Sequence, residues 1–319
     1  MIPKMTRRDL VRAAAAGWGA AALPNLPAAV PRNLKIGYTC ITWGTMPRGP
    51  EATATLETAV RDISSLGFHG FETFPEILED WDARDALRPL IDKYQLPLTS
   101  GYIRINVTDP TKAKESLDAV VRLGKVIRKY GGTYGVIQVN SVKRDSYNFH
   151  QYRAAIISGL NDSGKALNDL GLGSGLHQHT GTAVETHDEV YTVMHAVDTR
   201  HMTFAPDVGQ LQKGGSDAAQ VIKDFLPLVT HMHLKDYKGW EHYAGYCPLG
   251  MGVVDIPTVL NSLEEAHQKA DIMVELDPSN NAPMSPLETA RVTKAYLVKL
   301  GYHFPQRSMG RNPSAGGNR

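Results

Sequence analysis

The chain has 319 residues, with 34 Lys and Arg against 33 Asp and Glu and a hydrophobic content of 42%. That length suffices for one large core or two small ones, and a formal charge of +1 offers no field to steer nucleic acid or an anionic membrane. The 29 Gly and 19 Pro residues are spread along the chain, as many short loops between regular elements require.

The first segment, "MTRRDLVRAAAAGWGAAALPNLPAAV", has a basic start, an Ala- and Gly-rich apolar stretch and small residues at Ala28 and Ala29. It predicts an export signal over residues 1–30, and Thr6-Arg7-Arg8-Asp9-Leu10 resembles the twin-arginine type. The apolar part, Ala13 to Leu23, falls short of the ~20 residues of a membrane span, so a cleaved peptide and a periplasmic or exported protein are expected, without a permanent anchor. From Leu34 onward, short β-rich runs alternate with longer amphipathic segments. The predicted strands are "LKIGYTCI", "GFHGFETF", "LPLTSGYI", "YGVIQVN", "LGSGLHQH", "MTFAPDV", "VTHMHLKD" and "DIMVEL". The predicted helices are Thr53 to Leu66, Ala83 to Tyr94, Pro110 to Tyr130, Asn148 to Leu170, Glu185 to Ala196, Ala218 to Leu226, Ile256 to Ala270 and Pro286 to Leu300. Eight such units predict a single α/β domain over residues 31–305, a closed (β/α)8 TIM barrel, followed by a disordered tail over 306–319. An open doubly wound sheet would carry a Gly-rich phosphate turn after its first strand, and "TCITWGTMPRGP" is not one. Cys40 and Cys247 are too few for a disulfide scaffold and read either as one bridge or as two thiols.

The polar residues fall where a barrel keeps its chemistry, at the C-terminal ends of the strands. Strand two ends with Glu72, strand five with His177 and His179, strand six with Asp207, strand seven with His231, His233 and Lys235, and strand eight with Glu275 and Asp277. The period of two puts His231, His233 and Lys235 on one face and Met232 and Leu234 on the other, which turns the polar set into the barrel mouth. Burying carboxylates and imidazoles together without a positive centre costs several kcal/mol per ion, so a divalent metal is expected among them. The alternative for any one imidazole is a hydrogen-bonded core histidine, and for Lys235 with Asp236 a salt bridge closing the strand. Trp43, Tyr38, Tyr237, Trp240 and Tyr243 lie at strand ends or in the loops that follow and are candidate platforms for a carbohydrate; each also reads as packing. The loop "GWEHYAGYCPLGMGVVD" is long enough to cover the mouth, with Gly250 and Gly252 to bend it.

The motifs "GLHQHTGTAVET", "PDVGQ", "HMHLKDY", "LGMGVVDIP" and "MVELDPS" together resemble the xylose isomerase-like sugar isomerase and epimerase superfamily of TIM barrels, and most of all its inosose (2-keto-myo-inositol) dehydratase branch. The resemblance spans roughly Gly171 to Asn280. It implies a divalent ion, Mn²⁺ first and Co²⁺, Mg²⁺ or Zn²⁺ as alternatives, on Asp207, His233 and Glu275, with Glu185, His177 or His179 as the fourth ligand. It implies further that His179, His177, Glu72 and Lys235 supply base and acid, and that Trp43, His231, Tyr237 and Asp277 meet the substrate. This chain departs from the branch at Leu176, at Glu185 and at Gln210, where many relatives have Tyr, Gln and His respectively. The expected activity is a lyase on a keto-sugar, a keto-inositol or a 3-keto-glycoside, with an isomerase or epimerase as the alternative; homo-oligomerisation is left open. A sugar-binding protein without chemistry does not explain the ionisable strand ends, and a phosphodiesterase of the apurinic endonuclease type would need further His and Asp ligands and a basic surface.

Overall fold

The computed structural model describes residues 31–47 and 50–306. The export signal, and the expected tail but for its first residue, lie outside them. Eight parallel strands form the barrel: β1 (Lys35–Thr39), β2 (Phe71–Thr73), β3 (Leu98–Ile105), β4 (Tyr134–Val139), β5 (Gly173–Leu176), β6 (Thr203–Phe204), β7 (His231–Leu234) and, last in the chain, β10 (Asp271–Val274). They pair in the order β6-β5-β4-β3-β2-β1-β10-β7. Between β6 and β7 the barrel closes through isolated parallel bridges, Phe204 with Val229 and Asp207 with His233.

Around the strands lie the helices α1 (Pro50–Ser65), α2 (Pro75–Asp82), α3 (Leu87–Tyr94), α4 (Ala113–Lys129), α5 (Phe149–Asp169), α6 (His187–Met194), α7 (Val208–Lys213), α8 (Ala218–Asp224), α9 (Ile256–Glu265) and α10 (Pro286–Lys299). Capping boxes start α6 at Thr186 with Glu189 and α10 at Ser285 with Glu288, so their first backbone N–H groups are satisfied locally. Two helices go beyond the sequence expectation. Pro75 at its first position starts α2 directly after β2, and the Asp207 carboxylate caps α7 by accepting from the Gln210 N–H at 2.9 Å. No helix among the described residues is long and apolar enough to cross a membrane.

Register explains the two faces. In parallel strands, paired residues point the same way, and Met273 pairs with both Gly37 and His233. A Cβ on Gly37 would sit 2.7 Å from the Met273 side chain, which places all three on the inner face. Met232 and Leu234 point the other way, into the fully buried shell beneath the helices. Gly175, on the inner face of β5, makes room for Tyr134: a Cβ there would lie 2.3 Å from the tyrosine oxygen. That oxygen is held by Thr203 at 2.6 Å and Thr230 at 3.1 Å, which ties β4, β6 and the start of β7 together low in the barrel.

The expected mouth loop contains a small antiparallel pair, β8 (Asp236–Tyr237) with β9 (Tyr246–Cys247). Asp236 does not pair with Lys235. Its carboxylate accepts from the N–H groups of Tyr237, Gly250, Gly252 and Val254 at 2.8–3.1 Å, and so holds the loop to the end of β7. Gly250 is needed here, with φ at +82° and Tyr296 only 2.3 Å from where a Cβ would be. Cys40 and Cys247 are both buried free thiols, so the one-bridge alternative does not hold.

Candidate active site

The inner faces of β2, β7 and β10 build the floor of the mouth. Glu72 accepts from Ser100 Oγ and from the ring nitrogens of His231, at 2.9 Å, and His233, at 2.6 Å. The other nitrogen of His233 lies 3.0 Å from Glu275. Burial opposes a charged His233, but Glu72 and Glu275 on either side outweigh it and hold its pKa well above the ordinary histidine value. Glu72 and Glu275 are correspondingly depressed against the effect of their own burial.

Lys235 is fully buried and stands at the centre of the second half of the floor. Its Nζ lies 2.6 Å from Glu275, 2.8 Å from Asp277 and 3.3 Å from Asp207, and 4.4 Å from the centre of the Tyr246 ring. Burial pulls its pKa down, yet these carboxylates raise it well above the usual lysine value, so it is an ammonium. Asp207, wholly inaccessible, is pushed up by burial more than Lys235 pulls it down.

Beside this cluster, His177 is buried with neither ring nitrogen hydrogen-bonded, under Tyr102 and 4.5 Å from His233 between ring centres. Burial, and then the His233 charge, lower its pKa well below the ordinary value, so it is neutral. His179 is also held neutral, by burial and then by Lys235. Its Nδ1–H donates to the Thr180 carbonyl at 2.7 Å, and the Gln210 amide lies 2.7 Å from Nε2. Beyond β5 the chain turns back on itself, His179 N–H to the Val184 carbonyl, which is why both histidines sit in a loop rather than in the strand.

A cavity of about 240 Å³ opens above the floor, with Glu72, Glu275, Asp277, His179 and Tyr102 in its wall. The structure thus brings together Glu72, His177, His179, Asp207, His231, His233, Lys235, Glu275 and Asp277. It does not bring three other candidates to them. Glu185 turns to the rim, accepting from Gly181 N–H at 2.6 Å with Arg144 at 3.3 Å. Trp43 is buried against α1, its indole N–H on Asp62 at 3.0 Å. Tyr237 packs edge-on against Tyr246 in the small hairpin. Tyr102, Arg104 and Gln138, also in the cavity wall, were not singled out from the sequence. Their signal is the alternation Ser100, Tyr102, Arg104, which runs past Ile103, where strand three was expected to stop.

The donor chemistry fits a divalent ion. One ligand atom each from His177, Asp207 and His233 lie within 4.8 Å of one another. Neither ring nitrogen of His177 is hydrogen-bonded, while Asp207 Oδ2 lies 3.3 Å from Lys235 and His233 Nδ1 3.0 Å from Glu275, so an ion there would take the place of the His233 proton. When ionised, the four carboxylates of the floor, Glu72, Asp207, Glu275 and Asp277, exceed the charges of Lys235 and His233 by two.

Residues 60–296 match the family model described as xylose isomerase-like TIM barrel. The chain is 24% identical over 301 residues to an inosose dehydratase of Clostridium beijerinckii, covering 85% of this chain and 98% of that protein. Its fold is similar to that of the E. coli 3-keto-D-glucoside 4-epimerase YcjR, with a TM-score of 0.64, 16% identity and coverage of 84% and 99% of the two chains. It is also similar to that of the IOLI protein with a bound zinc atom, with a TM-score of 0.67, 14% identity and coverage of 84% and 98%. With more than half of its length matched by that model, the chain belongs to the xylose isomerase-like TIM barrel family.

Proposed function

We propose that the protein is a metal-assisted lyase that removes an α-proton from a keto-sugar or keto-polyol and expels a β-oxygen, which leaves as water or an alcohol on receiving a proton back from His179. The observation that carries this reading is the joint placement, under one cavity, of a neutral imidazole, a buried ammonium and a buried cluster of possible metal donors. The curated relatives named inosose dehydratase support the carbohydrate class and the elimination. A divalent ion, when bound, supplies Lewis-acid polarisation of a carbonyl; His177, Asp207, His233 and Glu275 are the residues that would hold it. Mn²⁺ suits the mixed oxygen and nitrogen donors. Glu185 pairs with Arg144 and both ring nitrogens of His179 are engaged by Thr180 and Gln210, which supports His177, rather than either of these, as the fourth ligand.

The chain's own groups divide the proton work. His179 takes the α-proton on Nε2: the Thr180 carbonyl holds the other nitrogen as N–H and so fixes the tautomer with a lone pair on Nε2. Gln210 occupies that lone pair and gives way to the substrate carbon. Lys235 presents a fixed positive charge to the oxygen where negative charge develops, and it needs no reorganisation because its carboxylates already hold it. Glu72 keeps His231 and His233 in place from below.

The structural likeness to a 3-keto-D-glucoside 4-epimerase favours a second reading, in which the same α-carbon is reprotonated without loss of oxygen. Metal content measured together with turnover on keto-inositols and 3-keto-glucosides tests both. Product lighter by water or an aglycone supports the lyase, and product of unchanged mass carrying solvent deuterium supports the epimerase. We place the reaction outside the cytoplasm on the strength of Arg7 and Arg8. Replacing both with Lys should retain the precursor in the cytoplasm, and normal export of that variant removes the twin-arginine assignment.

A further inference from the structure

The wall of the cavity carries one cation that the floor does not use. Arg104 follows Ser100 and Tyr102 on the inner face of β3, is exposed to the cavity, and stacks its guanidinium 5.2 Å from the centre of the Phe74 ring. The other charged groups in that wall have partners of opposite sign: Glu72 has His231 and His233, and Glu275 and Asp277 have Lys235. Arg104 makes no ion pair among the described residues; the Glu76 carboxylate feels its charge but does not pair with it. Its direct neighbour in the β3–β4 register is Gln138, which lines the same cavity and is almost fully buried. Arg104 and Gln138 thus stand at paired positions of neighbouring strands in the wall of one cavity.

Resting on the carbohydrate reading above, we propose that Arg104 and Gln138 form a subsite for an anionic oxygen group of the substrate, a carboxylate or a phosphate, at the end remote from the reacting carbon. The preferred substrate is therefore an acidic keto-sugar rather than a neutral one. A planar guanidinium offers a carboxylate two parallel N–H donors, and that of Arg104 sits over the Phe74 ring in the cavity wall with no carboxylate partner among the described residues. The Gln138 amide adds a neutral donor beside it without competing for the anion. With Glu275 and Asp277 already paired to Lys235, Arg104 is the charge in that wall left to orient the substrate, with its anionic end toward β3 and β4.

Equilibrium binding to the metal-loaded full chain tests this without any need for turnover. The probes are D-glucuronate, D-glucose 6-phosphate and D-glucose, titrated calorimetrically at low and high salt into the wild type, Arg104→Met, Arg104→Lys and Gln138→Leu. The expected result is at least a tenfold preference for one of the anions over glucose, weakened by salt. That preference falls to within twofold in Arg104→Met and is partly kept in Arg104→Lys. Glucuronate as the tighter anion assigns a carboxylate, and glucose 6-phosphate a phosphate. Equal binding of anions and glucose by the wild type, or a preference that survives in Arg104→Met, overturns the proposal. Because binding is read without chemistry, a failed elimination assay leaves this result standing, and a confirmed lyase without anion preference refutes only the subsite.

Discussion

Lys235→Met removes one charge from the most tightly paired part of the molecule and keeps the unbranched side chain, one atom shorter. The ammonium has no exposed surface and sits within 3.3 Å of Asp207, Glu275 and Asp277. Methionine fills the space against Tyr246 but leaves these carboxylates facing one another. Breaking a buried ion pair from one side costs about 3–5 kcal/mol, and three carboxylates left together put the loss at the upper end of that range in metal-free protein. A divalent ion restores more charge than the substitution takes away, so saturating Mn²⁺ should recover most of the loss. Urea unfolding followed by tryptophan fluorescence, with chelator and with Mn²⁺, measures both quantities. A metal-free loss below about 1 kcal/mol, against that range for buried pairs, would refute the assignment of Lys235 as the counter-charge of the floor. Activity should stay low even when stability is restored, because the charge facing the developing oxyanion is gone; a single such donor is worth ~10²–10³ in kcat.

His177→Asn should lower metal content well below that of the wild type in a folded protein, whereas Glu185→Gln should leave it unchanged; elemental analysis after gel filtration reads both, and the reverse order returns Glu185 to the ligand set. Asp236→Asn should destabilise by about 1–3 kcal/mol and raise the protease sensitivity of the 238–253 loop, since the four N–H donors on Asp236 lose a charged acceptor. With His179 held below the ordinary histidine value, its basic form persists as pH falls, so the acid limb of kcat/KM should lie below pH 6.5.

The barrel and the floor of the site differ in how far they could be read from sequence. Alternation along "HMHLKD" is local information, and it put His231, His233 and Lys235 inward and Met232 and Leu234 outward, as the register has them. Which residues meet across the barrel depends on strand tilt and stagger, which no local pattern carries. Hence Lys235 turned out to face Asp207, Glu275 and Asp277 rather than Asp236 beside it in the chain. Trp43 read as a platform because aromatics at strand ends often are, but the Asp62 carboxylate on α1 takes its indole N–H. Arg104 lies beyond the apolar run that ends at Ile103, and only the ladder with β4, which continues to Ile105, brings it into the strand. Glu185 follows the strand-five motif closely, and its diversion to Arg144 is a contact between residues 41 apart in sequence.

Exchange of a substrate α-hydrogen with solvent deuterium tests the central claim most directly, because it reports proton removal whatever follows. With the metal-loaded enzyme and a panel of neutral and acidic keto-inositols and 3-keto-glucosides, mass spectrometry should show either elimination or deuterium at the α-carbon, and neither with the corresponding non-oxidised sugars. His179→Asn should suppress this by ~10²–10⁴ while retaining the metal. Full metal occupancy with no exchange and no turnover on any keto-sugar of the panel would contradict the account.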